Sequence, residues 1–357
     1  MISHLFYADD AVFIGEWSDN NLTRIMQILH CFSLSSGLKI NISKSHLLGV
    51  GVPRESANTT ARRLGCLVMS APFKYLGVMV GGNMALVKSW DDVIGKLNSR
   101  LSKWKRNSLS IGGRLTLLKS VLGSTPIYSM SLYKVPKSVL HSMEVIRRKF
   151  FYGVNGDDTK ITWVSWPKVL AAKEYGGLGV SSFYALNRAL LFKWIWRFIS
   201  QDNSLWFRVI FSIHGSNLSS VDAFHTSLWK SIVWEVFSLN SQGIDLLSHC
   251  RIRVGNGYRT RFWKDKWIGD NQLCHIFPRV YALETAKESS VAEKLNGSFS
   301  DSFRRNARGG VEEHQLAQLR LLIDPVILSS SVDRWVWDLS SDGDFHVKDI
   351  RNFEVIG

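Results

Sequence analysis

The first apolar stretch of the chain, HLFYADDAVFIGEW over residues 4–17, places two adjacent carboxylates, Asp9 and Asp10, between two apolar runs. Turn-forming composition between short apolar and aromatic runs predicts a β-hairpin. Both faces of each predicted strand are apolar, a pattern typical of a sheet that is covered on both sides. We therefore expect a hairpin that needs sheet partners, with an exposed apolar edge if those partners lie upstream of the chain.

The carboxylate pair at the tip of this hairpin has two interpretations. Adjacent carboxylates repel each other, and a nearby cation is what normally keeps both ionised. Magnesium favours such oxygen ligands together with substrate phosphates, so the pair is a candidate metal site for phosphoryl transfer. Aspartate is also common in ordinary turns, because its side chain bonds to the local backbone. Asp9 and Asp10 alone do not decide between the two.

Length and charge set the broad class. The 357 residues are enough for two or three domains, and 45% hydrophobic residues are enough for packed cores. Lys and Arg number 44 against 30 Asp and Glu, a formal charge of +14. An excess of this size predicts a polyanionic partner, either nucleic acid or an acidic membrane surface.

Other classes are disfavoured by the sequence. The four cysteines lie far apart, without zinc-ligand spacing, at Cys31, Cys66, Cys250 and Cys274. Their scarcity fits a reducing compartment, and the N-terminus lacks the pattern of a secretory signal. The apolar stretch over residues 189–199 contains Lys193 and Arg197, so it is too short and too charged to span a bilayer.

The pattern along the chain predicts an α+β fold. Ser18 and Gly37 are placed to begin and end a helix. Alternating apolar residues predict a half-buried strand over 38–42 and a further strand over 73–80. Helical spacing follows from residue 90 to residue 152 and again over 185–199, where most tryptophans are expected in the core.

Basic residues dominate the first helical block. Between residues 100 and 149 they are Arg100, Lys103, Lys105, Arg106, Arg114, Lys119, Lys134, Lys137, Arg147, Arg148 and Lys149, with Glu144 as the single acid. One-sided charge of this kind is expected on a surface that binds a phosphate backbone. A merely solvated basic surface is the alternative.

The later part of the chain is less informative. Residues 251–270 predict a hairpin that turns at Gly255-Asn256-Gly257. Residues 285–331 are polar and weakly periodic, which favours a linker around a short helix. Residues 334–352 have the composition of the opening of a further unit.

Five segments in order, FYADDAVFIG, GLKINISKS, FKYLGVMVGG, LSIGGRLTLLKSVLGSTPIYSMSLYKVP and GGLGVSSFYALNRALLFKWIWRF, resemble the reverse transcriptase of plant non-LTR (LINE-type) retrotransposons. The resemblance implies a right-hand polymerase, with the hairpin in its palm and the basic helices in its thumb. It also implies RNA template, DNA primer and RNA/DNA hybrid as partners, no membrane, and an intracellular location, nuclear or cytoplasmic.

The resemblance assigns roles to individual residues. Asp9 would be the main Mg²⁺ ligand, Asp10 the supporting carboxylate, and Lys44 a catalytic group near the leaving pyrophosphate. For Lys44 a solvated position, and for residues 75–77 an ordinary core hairpin, are the alternatives. The residues implied to contact primer or other nucleic acid are Tyr7, Ala8, Tyr75, Leu76, Gly77, Lys103, Lys105, Arg106, Arg114 and Lys119.

The domain organisation follows the same resemblance. We expect a partial palm over 1–84, a thumb-like basic region over 85–155, a tryptophan-rich helical and β-hairpin region over 156–284, and a linker with the start of a zinc-binding-type unit over 285–357.

Activity is not expected from this chain alone. A two-metal polymerase needs a further aspartate upstream of the hairpin, and the pairs Asp91-Asp92 and Asp157-Asp158 lie in a predicted helix start and a predicted loop. We therefore expect an inactive C-terminal fragment of a polymerase. The alternatives are a non-catalytic module that binds RNA or an RNA/DNA hybrid, and a decayed reading frame without a selected role.

Overall fold

The structure is a computed structural model that describes residues 3–102, 109–154, 163–201, 203–215, 227–297 and 299–353. The chain divides into two compact units, unit 1 over Met1–Asn83 and unit 2 over Met84–Gly357. Both helices and strands are present, so the predicted α+β class is confirmed. The finer domain boundaries stay predictions.

The strands are short and form small sheets. Within the described residues they make four separate two-stranded sheets, β1–β2, β3–β4, β5–β6 and β7–β8. Their bounds are β1 His4–Tyr7, β2 Asp10–Phe13, β3 His46–Leu48, β4 Leu67–Met69, β5 Phe73–Tyr75, β6 Val78–Val80, β7 Cys250–Arg253 and β8 Arg334–Trp337. Separate pairs of strands give no support for the polymerase palm that the resemblance implies.

Helices account for most of the regular structure. In unit 1 they are α1 Asp19–Ser36 and α2 Arg54–Leu64. In unit 2 they are α3 Asp91–Ser102, α4 Ile111–Leu117, α5 Ile127–Met130, α6 Lys137–Tyr152, α7 Trp166–Leu170, α8 Phe183–Ser200, α9 Leu205–His214, α10 Leu228–Ser241, α11 Leu273–Ile276, α12 Pro278–Leu283, α13 Val291–Asn296, α14 Val311–Ile323 and α15 Val347–Phe353. None of the helices in the described ranges is long and apolar enough to cross a membrane.

The predicted N-terminal hairpin is confirmed. Strands β1 and β2 are antiparallel, and Tyr7 pairs with Asp10 across the turn. The hairpin is largely uncovered within unit 1, with Phe6 66% and Tyr7 64% exposed. The expectation of an exposed apolar edge is therefore confirmed as well.

Helix α1 matches its sequence signals, whereas the strand predicted after it is wrong. The Ser18 hydroxyl accepts from the Asn21 N–H, and Gly37 ends the helix in the left-handed conformation at φ +73°. The alternating residues 38–42 do not form a strand, because the Asn41 side chain accepts from the Lys44 N–H and starts a 3₁₀ turn. The Asn41 side chain therefore bonds to a backbone N–H that would otherwise pair with a neighbouring strand. Strand β3 begins only after that turn.

The single strand predicted over residues 73–80 is a hairpin instead. Strands β5 and β6 pair antiparallel with Tyr75 opposite Val78. Leu76 and Gly77 turn the chain with positive φ values of 47° and 83°. Two successive positive φ values match the twist of the flanking strands, which is the usual geometry of a two-residue hairpin loop.

Among the described residues of unit 2, two apolar clusters are built largely from aromatic side chains. The first packs helix α8 with α10, β8 and α15, and it buries Phe192, Trp229, Trp337 and Ile350. The second buries Phe262 and Trp263. The expectation that most tryptophans pack in the core is met at these positions, since large aromatic rings remove much apolar area from water.

The hairpin predicted over residues 251–270 is wrong. Strand β7 pairs with the distant β8, in a register that places Cys250 opposite Trp337. The glycine turn that follows β7 is held by the carboxylate of Asp333, which accepts hydrogen bonds from the backbone N–H groups of Gly255 and Gly257. The turn signal was correct, but the strand partner comes from 80 residues further along the chain.

Residues 285–331, predicted as a linker around a short helix, contain helices α13 and α14. Val291 and Leu319 from these helices are fully buried in the second cluster. Residues 334–352, predicted as the opening of a further unit, supply β8 and α15 to the first cluster, where Trp337 and Ile350 are buried. Weak apolar periodicity hid these contributions, because only a few side chains of each helix reach the core.

Candidate functional site

The carboxylate pair of unit 1 lies at an exposed turn. Ala8 adopts a left-handed conformation at φ +51°, Asp9 completes the turn, and Asp10 begins β2. No hydrogen bond or ion pair engages either carboxylate in the described part of the chain, and the same part holds no group of three His, Cys, Asp or Glu side chains able to hold a metal. Two exposed neighbouring carboxylates without further donors do not fit a two-metal centre.

The other unit 1 candidates are not gathered around this turn by any described hydrogen bond or ion pair. Lys44 is exposed, and its backbone N–H donates to Asn41 Oδ1 and to Asn41 O, each at 3.2 Å. Tyr7 and Ala8 are exposed on the first hairpin. Tyr75 is half-buried in β5, and Leu76 and Gly77 form its turn, which is the ordinary hairpin that the sequence left open. Catalytic and primer-contacting roles for these residues stay predictions.

The predicted basic surface of unit 2 is only partly a surface. Lys103, Lys105 and Arg106 lie outside the described residues. Arg147 is 1% exposed and donates to Glu144 Oε1 at 3.0 Å, and Lys134 pairs with Glu235 at 2.6 Å. These two cations balance carboxylates within the fold, so counting them as part of a one-sided solvent-facing charge was wrong.

Arg114 also has a local structural setting. It is half-buried, and its guanidinium lies beside Gly153, where a Cβ atom would come within 1.9 Å of Nη1. Gly153 ends helix α6 in a left-handed conformation. A cation at this end of a helix interacts favourably with the helix dipole, which accounts for the position of Arg114 without a ligand.

Lys119 is brought together with two cations that the sequence did not single out, Lys173 and Arg351. We call these three residues the cation cluster. Burial, followed by the positive charges of Lys173 and Arg351, lowers the pKa of Lys119 below its ordinary value. None of the three forms an ion pair within the described ranges. Three cations are therefore held close together without a neutralising contact.

The loop that positions Lys173 is fixed by its own backbone. Gly179 N donates to Ala171 O at 2.8 Å, and Leu178 N donates to Lys168 O at 3.1 Å. Gly177 packs so tightly that a Cβ atom there would lie 2.1 Å from the carbonyl oxygen of Ala171. The loop therefore needs glycine at this position.

Gly179 lies beside both lysines of the cluster. Its φ is +66°, and a Cβ atom there would lie 3.2 Å from Lys173 Cγ and 3.8 Å from Lys119 Nζ. A side chain at this position would be strained by the backbone conformation and would crowd Lys173.

A pocket of about 250 Å³ opens beside the cation cluster. Arg351 reaches it from α15 and donates from Nη1 to Ser181 Oγ at 2.6 Å. The Ser182 hydroxyl accepts from Tyr184 N and begins helix α8. Glu174 contributes one carboxylate to the lining. The site therefore combines excess positive charge with hydroxyl groups, a composition suited to an anion.

Sequence reasoning found one member of this site and missed the others. Lys119 belongs to the basic helical block, and residues 176–179 open the quoted segment GGLGVSSFYALNRALLFKWIWRF, to which the sequence assigned no binding role. The convergence of Lys119, Lys173 and Arg351 is a tertiary contact between segments far apart in the chain. The turn beside Lys173 was the one local signal that could have pointed to it.

Comparison with known proteins gives two relatives, and no family model matches the chain. The chain is 30% identical over 271 residues to a "putative ribonuclease H protein" of Arabidopsis thaliana, an alignment that covers 73% of this chain and 42% of that protein. It is 32% identical over 151 residues to an uncharacterized mitochondrial protein of the same plant, covering 41% of this chain and 93% of that protein.

Both relatives are plant proteins, and they correct the resemblance to reverse transcriptases that the motifs suggested. The chain belongs to the family of the Arabidopsis mitochondrial protein, nearly all of which it covers. It spans about two fifths of the ribonuclease H protein. Neither relative is named as a reverse transcriptase, and one is named as a ribonuclease H protein, so the identification as a reverse transcriptase of non-LTR retrotransposons is wrong.

Proposed function

We propose that this chain is a non-catalytic module that binds RNA or an RNA/DNA hybrid. The observation that carries the proposal is the cation cluster: Lys173 and Arg351 line one pocket of unit 2, and Lys119 Nζ lies beside Gly179 in the wall of that pocket. Bringing like charges together costs free energy in the unliganded protein. An anionic partner recovers that cost, and phosphate groups are the anions that nucleic acids offer.

Two further facts support the same function. The chain carries a formal charge of +14, which favours polyanions over neutral partners. One relative is named as a putative ribonuclease H protein, and a ribonuclease by its name acts on RNA. For this chain we propose nucleic-acid binding, and we do not propose ribonuclease activity.

The proposed function does not include catalysis, because the described carboxylates do not form a metal centre. Metal-assisted phosphoryl transfer needs several carboxylates that converge on the metal ions. In the ranges that the structure describes, Asp9 and Asp10 form a pair without further ligands. Binding through basic side chains needs no such centre.

The proposal is tested by fluorescence anisotropy with a labelled RNA/DNA hybrid, followed by a gel of the same strands after incubation with Mg²⁺. We expect binding that Lys119→Gln weakens and that Asp9→Asn leaves unchanged. Lys193→Gln is the matched control, because Lys193 is an exposed lysine of α8 that also loses one charge. We expect the RNA and DNA strands to keep their lengths after incubation with Mg²⁺. Absence of binding, or strand cleavage or extension that Asp9→Asn abolishes, would overturn the proposal.

A further inference from the structure

The positive charge in and beside the pocket exceeds what a single backbone phosphate needs. Lys173 and Arg351 line the pocket with two positive charges, and Glu174 supplies one negative charge. Lys119 adds a third positive charge beside the wall, where a Cβ atom at Gly179 would lie 3.8 Å from its Nζ. A phosphodiester within a strand carries one negative charge. A phosphomonoester carries about −1.5 to −2 at pH 7, which matches the net charge of the cation cluster and Glu174 together.

Hydroxyl donors complement the cations. Ser181 Oγ accepts from Arg351, and Ser182 Oγ accepts from the Tyr184 N–H. Each hydroxyl carries one proton of its own, and no described residue accepts it. Both protons are thus left to donate to an oxygen that enters the pocket.

The pocket is built for a phosphate and not for a base. No residue that lines it is aromatic, so it offers no platform on which a base could stack. The backbone N–H groups of Gly177, Leu178, Gly179 and Val180 already donate within the loop. Recognition therefore depends on lysine, arginine and serine side chains, which bind phosphate oxygens well.

We propose that the cation cluster, together with Ser181 and Ser182, binds a phosphomonoester dianion, as found at the phosphorylated end of a nucleic-acid strand. The strand as its source rests on the proposed function. A free phosphate ion offers the same chemistry, and the experiment separates the two sources. In this proposal the chain binds the phosphorylated ends of nucleic-acid strands in addition to its general binding of nucleic acid.

The test uses the full chain and three RNA strands of one sequence, with a 5′-phosphate, with a 3′-phosphate, or with neither. Isothermal titration calorimetry measures each affinity, and inorganic phosphate alone is titrated in parallel. We expect one phosphorylated strand to bind about tenfold more tightly than the unphosphorylated strand. Lys119→Gln and Lys173→Gln are each expected to abolish that preference, whereas Lys193→Gln retains it.

The outcomes separate this inference from the proposed function. Equal binding of all three strands overturns the phosphate-end inference and leaves the nucleic-acid module standing. If Lys119→Gln and Lys173→Gln each retain the preference for a phosphorylated strand, the assignment of phosphate binding to the cation cluster is wrong. Binding of inorganic phosphate that depends on Lys119, without binding of any strand, supports the dianion site and overturns the proposed function. Absence of binding to strands and to phosphate overturns both.

Discussion

Arg351 and Ser181 are 170 residues apart in the chain, yet Arg351 Nη1 donates to Ser181 Oγ at 2.6 Å. This bond links α15 to the segment that precedes α8. We predict that Arg351→Ala and Ser181→Ala each lower the free energy of unfolding by about 1 kcal/mol, the usual net value of one such bond. Only Arg351→Ala removes a cation, so it is expected to weaken hybrid binding more than Ser181→Ala. Urea denaturation and anisotropy check the two effects, and equal loss of binding in both variants would contradict the assignment.

The ion pair between buried Arg147 and half-buried Glu144 predicts a large loss of stability. Glu144 Oε1 accepts from Arg147 Nη1 at 3.0 Å and from the Phe183 N–H at 2.7 Å. Burial lowers the pKa of Arg147, and the charge of Glu144 opposes that shift. Glu144→Ala leaves a buried guanidinium without its counter-charge, at a cost of about 3–5 kcal/mol. Urea denaturation measures it, with Glu174→Ala as an exposed control, and a loss no larger than that of the control would count against a structural pair.

Asp333 predicts a pH dependence of unfolding. Burial raises its pKa, but hydrogen bonds from Gly255, Gly257, Thr260 and Arg259 outweigh burial and hold the pKa below its ordinary value. Because the pKa of Asp333 is lower in the folded state than in the unfolded state, its ionised carboxylate stabilises the fold. This contribution is fully present above the unfolded-state pKa of about 3.9, and it is lost as the pH falls through the lower folded-state pKa.

The substitution Asp333→Asn isolates that contribution. We expect the variant to be less stable than the wild type at pH 7 by on the order of 2 kcal/mol, since it loses charge-assisted bonds. The difference should shrink as the pH falls below 4, because the wild type then loses the same charge. Thermal unfolding across pH 2–7 measures it, and a difference that is constant with pH would refute the role of the carboxylate.

Two glycines predict opposite effects of the same substitution. A Cβ atom at Gly177 would lie 2.1 Å from Ala171 O, whereas one at Gly95 in α3 would meet nothing within 4 Å. Gly177→Ala should therefore destabilise the chain by on the order of 2 kcal/mol or more, through displacement of backbone. Gly95→Ala should stabilise it by about 0.5–1 kcal/mol, because alanine favours the helix. Thermal unfolding measures both effects, and a Gly177→Ala variant as stable as the wild type would show that the loop does not require glycine.

Local signals in the sequence predicted the elements that local chemistry determines. Ser18 and Gly37 fixed the ends of α1 because capping groups act within one turn of the helix. The strand predicted over residues 38–42 does not form, because the Asn41 side chain diverts the backbone into a 3₁₀ turn, an effect that alternation of apolar residues does not reveal. The partner of β7 was missed because β8 lies 80 residues further along, beyond the reach of turn patterns.

The candidate site shows the same division. The excess of lysine and arginine predicted a polyanionic partner, and Lys119 was among the residues named. The pocket itself depends on Arg351 meeting the loop of Lys173, which is a product of tertiary packing. Motif similarity suggested a polymerase, and comparison over 271 residues led instead to a ribonuclease H protein.

The salt dependence of hybrid binding tests the central claim most directly, in the wild type and in the double variant Lys119→Gln, Lys173→Gln. For the wild type we predict that the logarithm of the association constant falls linearly with the logarithm of salt concentration, as counterion release requires. The double variant should bind more weakly, with a slope shallower by about 1–2. Identical slopes and affinities in the two proteins would contradict the claim that the cation cluster binds nucleic acid.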